Sequence, residues 1–172
     1  ITLSCRLTGI SLTQWHPDNF SFFLSGPYAK TADLFACFTQ FLSKVKIYSH
    51  GNPEPYVLDA SDFGSLGFDK EASIFSYPTQ SFSGFSLLQE YFLFPEKFLF
   101  FELSNLQNWK NKPDTSQFDI VFEFTEPPFE LPEVTRENFS LFAVPVINLF
   151  PFEAEPAILD HTKEKIRIRP SS

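Results

Sequence analysis

Methionine is absent from all 172 residues, and cysteine (2) and glycine (6) are scarce. The two thiols, Cys5 and Cys37, make neither a disulfide framework nor a metal-binding spacing. Cys5 shares the apolar side of an alternating segment with Ile1, Leu3 and Leu7, and Cys37 lies beside a helical apolar stripe. Both are therefore expected to be free, buried thiols, and no signal peptide points to an oxidising compartment. Long apolar runs are missing too. The nearest approach, LFAVPVINLFPF from Leu141 to Phe152, is too short for a membrane helix and is interrupted by Pro145, Asn148 and Pro151. Positive charge is in deficit: the formal net charge of −8 is spread along the chain, which argues against nucleic acid as a partner. One basic cluster, Lys163, Lys165, Arg167 and Arg169, reads as the polar face of a last strand. The length suits one domain spanning 1–172. The missing initiator methionine and the abrupt IRIRPSS ending lead us to expect an internal fragment of a longer protein.

Catalytic patterns are equally sparse. The sequence has no HExxH, GxSxG, P-loop or GxGxxG arrangement and no cofactor motif. His16, His50 and His161 each fall in or beside a turn. Glu153, Glu155 and Asp160 are the one conceivable carboxylate group for hydrolysis, but they straddle Pro156 and follow Pro151 in what reads as solvated surface chain. Asp59, Asp62 and Asp69 lack the alternate ligand positions and closing Glu of a calcium loop, and are expected simply to solvate a loop over 56–72. Neither cysteine has a basic neighbour on its own face to activate a thiolate.

What the chain has in abundance is phenylalanine, 24 in all. Each one fully buried contributes roughly 1.5–3 kcal/mol, a large share of the ~5–15 kcal/mol by which a domain is stable. Alternation predicts strands over Ile1–Thr8, Asn19–Ser25 (Phe20, Phe22 and Leu24 inward), Lys46–Ser49, Lys97–Leu103 and Phe118–Thr125. It also predicts one over Leu141–Phe150, edged or bulged at Pro145, and a hairpin of 157–160 with 165–169 that turns Ile166 and Ile168 inward. The first two strands are expected to pair with each other. Thr31 reads as the N-cap of a helix over ADLFACFTQFLSK whose apolar face carries Leu34, Phe38, Phe41, Leu42 and Val45, with Asp33 and Lys44 complementing its dipole. A turn of helix is expected near Trp109 and another at TREN, and EPPFELPE reads as a connector pinned by Phe129 and Leu131. The class is α+β: a mainly antiparallel sheet or sandwich with two inserted helices.

The densest aromatic stretch is IFSYPTQSFSGFSLLQEYFLFPEKFLFFEL, Ile74 to Leu103. Phe85, Leu87, Leu88, Tyr91 and Phe92 recur at helical spacing from Ser83, with Ser86 and Gln89 set as a capping box, and Pro95 ends the helix. The strand that follows is apolar on both faces and so is expected to be covered on both sides. The apolar surface exceeds what one core needs. We expect Phe94, Pro95, Phe98, Phe100, Asn148, Phe150 and Phe152 to seat against another chain, where aromatic anchors carry most of the binding energy. The alternative reading is a carbohydrate-binding β-sandwich with Trp15, Trp109 and tyrosines as stacking platforms.

The stretch YPTQSFSGFSLLQEYFLFPEKFLFFEL, with NFSFFLSGPY at Asn19–Tyr28 and PVINLFPFEAEPAILDH at Pro145–His161, resembles the TssF (VasA/ImpG) family of type VI secretion baseplate subunits. The resemblance spans nearly the whole chain. It implies a non-enzymatic subunit of the baseplate wedge that assembles with TssG, TssE and TssK around the VgrG spike, with self-association open. It places the protein in the bacterial cytoplasm at the inner-membrane-docked baseplate, without insertion into the membrane. No catalytic residue comes with it. The matching positions Ser25, Gly26, Pro27, Glu90, Tyr91, Phe92, Pro95, Phe98, Pro145, Asn148, Leu149 and Phe150 are expected to be mainly architectural.

Overall fold

The computed structural model describes residues 1–78, 80–126, 130, 133–150, 152–157, 165 and 167–171. Its strands are β1 (Thr2–Arg6), β2 (Phe20–Leu24), β3 (Leu42–Ser49), β4 (Tyr56–Asp59), β5 (Phe63–Ser65), β6 (Phe100–Leu103), β7 (Gln117–Phe124) and β8 (Phe139–Ser140). Helix α1 covers Tyr28–Gln40 and α2 covers Ser83–Leu93. All pairings are antiparallel, in two four-stranded sheets ordered β1-β7-β3-β4 and β5-β6-β2-β8. The expected α+β class with two helices is what the structure shows.

The two sheets share one core because alternation points one face of each inward. From the first sheet come Val45, Ile47, Leu58, Phe118, Ile120 and Phe122; from the second come Phe22, Leu24, Phe63, Phe101 and Leu103. Phe22 touches the rings of Phe38, Phe63, Phe101, Phe122 and Phe139, at 5.5–6.1 Å between centroids. Helix α1 carries the chain from β2 to β3 and inserts Phe38 among rings of both sheets, Phe63 and Phe101 on one side and Phe122 and Phe124 on the other.

Several expectations are corrected. β1 and β2 do not pair: each has a better partner in a different sheet, β1 with β7 and β2 with β6 and β8. Helix α1 starts at Tyr28, after Pro27, so Thr31 lies in its first turn, where its hydroxyl donates to the Tyr28 carbonyl at 3.0 Å. The helix also stops sooner than its apolar stripe suggests. Leu42 and Val45 belong to β3, because from Lys44 the period drops to two, with Val45, Ile47 and Ser49 buried between Lys44 and Lys46 and their neighbours. Lys44 therefore has no helix end to complement. The stretch 56–72 is not a solvated loop but holds β4 and β5. Two of its aspartates are structural: Asp59 and Asp62 form a reciprocal capping box, and Asp62 accepts from the Asn105 side chain at 2.6 Å, while Asp69 is exposed as expected.

Leu141–Phe150 is not a strand; it follows the two-residue β8 with no ladder partner among the described residues. Pro145 removes a donor in its middle. The TREN turn is present as a 3₁₀ turn at Arg136–Asn138, capped by Thr135, and a similar turn at Leu106–Asn108 leads into Trp109. At the far end Ala154 bridges Pro170, and the Glu155 N–H donates to the Arg169 carbonyl at 2.9 Å. This pairing begins before the expected hairpin strand at 157–160, of which 158–160 lie outside the described residues, and Ile168 is 80% exposed rather than inward. Ile166, His161, Asp160, Phe129 and Leu131 lie outside the described residues.

Candidate assembly surface

Helix α2 is inside out. Most of its apolar side chains point to solvent, with Phe85, Phe92 and Leu93 at 72%, 79% and 62% exposure, while its one buried residue is the carboxylate Glu90. The helix forms for the reason the spacing gives, but it begins at Ser83 after Phe82, so the expected Ser86–Gln89 capping box is not made. Ser86 instead donates back to the Ser83 carbonyl. The tight aromatic corner at Phe94–Pro95 ends it, and a 3₁₀ stretch from Pro95 to Leu99 leads into β6.

Glu90 is buried with Lys97, and the two form an ion pair. A charge taken out of water is tolerable only when its remaining hydrogen-bonding capacity is filled. The preceding loop fills it: Ser73 Oγ donates to Glu90 Oε1 at 2.6 Å, and the Ile74 and Phe75 N–H groups donate at 3.1 and 3.4 Å. Burial pushes the carboxyl pKa up, but the hydrogen bonds from Lys97, Ser73 and the Phe75 backbone outweigh it, and the net direction is below the ordinary carboxylate value. Lys97 also lies over the Phe98 ring, 5.1 Å from its centroid. A cavity of about 370 Å³ beside the pair is lined by Ser73, Tyr77, Ser83, Gly84, Glu90 and Lys97 among others. The sequence marked Glu90 only as one matching position; a lone Glu on a helix of aromatics carries no local sign of burial.

The expected contact residues divide. Phe98 and Phe100 are 5% and 9% exposed, and so are used up inside the chain. Phe98 lies in the 3₁₀ turn Pro95–Leu99 and Phe100 opens β6, and both pack toward the chain's own interior. Phe94 and Pro95 are half-buried, while Asn148, Phe150 and Phe152 are exposed. The same outer segment also exposes Val146 and a wholly exposed Phe142, whose φ of 58° is rare for a bulky residue. Reasoning from sequence missed Phe85 and Phe92 as surface residues, because helical spacing shows that a face exists and not which way it turns.

Among the described residues the other candidates give no converging chemistry. His16, His50, Glu153 and Glu155 are exposed, and no group of three metal-ligating side chains occurs among the described residues. Cys37 is fully buried, and burial together with Asp119 pushes the half-buried Cys5 thiol up to about 11. Trp109 is buried and stacked on Tyr56, and Lys112 lies over both Trp109 and Trp15, so the indoles are packing elements rather than open sugar platforms. No helix among the described residues is long and apolar enough to cross a membrane.

The structure thus combines an aromatic core shared by two sheets, a buried ion pair satisfied from within and apolar side chains turned outward. The chain belongs to the type VI secretion system TssF family, whose model matches residues 1–172. It is 35% identical over 95 residues to the type VI secretion system component TssF1 of Pseudomonas aeruginosa strain PAO1, covering 55% of this chain and 15% of that protein. It also resembles a chain in the solved cryo-electron microscopy structure of the type VI secretion TssK-TssF-TssG baseplate subcomplex. That match has 33% identity and a TM-score of 0.68, covering 92% of this chain and 30% of the other.

Proposed function

We propose that this chain is a non-enzymatic structural region of a type VI secretion baseplate subunit, one domain from within a longer polypeptide, acting by protein–protein assembly in the wedge. The observation that carries this is the likeness over 92% of the chain to a member of the TssK-TssF-TssG baseplate subcomplex. TssG and TssK are accordingly the first partners to test, with TssE, the VgrG spike and self-association as further contacts. The proposed location is the cytoplasmic face of the inner membrane.

The proposed contact residues are Phe94, Pro95, Asn148, Phe150 and Phe152, joined by Phe85 and Phe92. Exposed aromatics set among few charges are the kind of side chain that dominates interface energetics. The test is co-expression of the full-length protein with its TssG-type and TssK-type neighbours, followed by size exclusion. The wild type is expected to run with them in one complex, and F150S/F152S to reduce recovery of the complex at unchanged solubility. Separate elution of the wild-type proteins would reject the assembly role, whereas full recovery by the variant would reject only this surface.

A further inference from the structure

The sheet that holds β5 and β6 would close without the residues between them. Ser65 pairs with Phe101, and the Leu66 N–H donates to the Phe100 carbonyl at 2.7 Å, so the chain leaves the sheet and returns to it at adjoining points. Everything from 67 to 98 is inserted into what is otherwise a hairpin. Between Phe63 and Leu99 no described residue joins the central apolar cluster, and none is among the half-buried residues packed against it. The insertion instead has a centre of its own, the Glu90–Lys97 pair, to which Ser73, Ile74 and Phe75 are hydrogen-bonded.

Its hold on the rest of the molecule runs through α1, on which the Pro95–Leu99 turn packs. Phe68 meets Phe35 of α1 at 6.3 Å between centroids, and the Tyr28 hydroxyl donates to the Tyr91 hydroxyl at 3.4 Å. Inside the insertion the packing is close. Phe68 lies 4.8 Å from Phe98, and a Cβ on Gly67 would stand 2.8 Å from the Lys97 carbonyl oxygen. Segments with few buried apolar contacts to the core open at lower free energy than the strands, and they open as contiguous units.

We propose that residues 67–98 form a cap that unfolds and refolds as one cooperative unit on a two-sheet body that stays folded, with the Glu90–Lys97 pair as the centre that holds the cap together. The pair suits the task because removing one partner leaves the other charge buried and uncompensated. Loss of the pair therefore acts on the whole cap and on little else. The aromatic face of α2 rides on the cap and moves with it.

Hydrogen exchange with mass spectrometry on the full-length protein tests this. In the wild type, amides of 73–93 are expected to exchange together, about tenfold or more faster than those of β2, β6 and β7. In E90Q the cap is expected to exchange a further ~100-fold or more faster while the strands stay within about twofold. Equal protection of cap and strands in the wild type would overturn the proposal, as would an E90Q effect spread over all strands or absent from the cap. A second variant, in which a short Asn-Gly turn joins Leu66 to Phe98, guards against misfolding of the first. It is expected to keep wild-type protection in β2, β6 and β7, and loss of that protection would overturn the proposal.

Discussion

At the scale of single residues, Glu90 carries the sharpest consequences. Neutralising one member of a buried pair strands the other, so E90Q or K97M should cost the segment they hold ~3–5 kcal/mol, whereas E90L/K97M together should cost far less. Local stability from hydrogen exchange separates the two cases; equal losses in single and double variants would contradict the pair's role. The pH dependence follows from the sign of the shift. Glu90 titrates lower in the folded chain than its ordinary value of 4.5. Its contribution is therefore complete above that value and is lost as pH falls below it through the folded-state pKa. Protection of the Ile74 and Phe75 amides, corrected for intrinsic exchange, should fall in that acid window in the wild type and show no such step in E90Q. The sequence placed Glu90 on a helix but gave no reason to bury it, since burial is decided by Lys97 and Ser73 reaching it from other turns of the chain.

Among elements, the contrast is between an aromatic side chain that fills the core and one that only looks as if it should. Phe22 is buried and touches five other rings, so F22A should cost ~3–5 kcal/mol. Phe92 is 79% exposed, so F92S should stay within ~0.5 kcal/mol when the two variants are compared by urea titration. A large loss from F92S would show that α2 packs against this chain in solution. The strands of strict alternation, β1, β2 and β7, were readable because one buried face imposes a period of two. The end of α1 was not. Leu42 and Val45 fit both a helical stripe and the inward face of β3, and the ladder with β7 decided between them. β4 and β5 are four and three residues long, too short for a period to show.

For the whole molecule, the question is whether two sheets make one cooperative body. Phe122 of the first sheet packs on Phe22 and Phe63 of the second, at 6.0 and 5.6 Å between centroids. A core that both sheets share should melt in one step. F101A in one sheet and F122A in the other are each expected to lower the same transition by ~3–5 kcal/mol. Trp109 fluorescence and far-ultraviolet circular dichroism should report that transition together. Two separated transitions would mean that the sheets are independent.

Taken alone, the sequence determined the class, most of the strands, the aromatic core and the family, because alternation, helical spacing and unusual motifs are local properties that survive without a partner in space. Only the tertiary structure decided which strands are neighbours, that Phe98 and Phe100 are consumed inside, and that α2 turns its charge inward and its aromatics out. The physical reason is that periodicity fixes the relative orientation of side chains within one element. The direction in which that element faces is a balance of burial and hydrogen bonding struck with residues far along the chain.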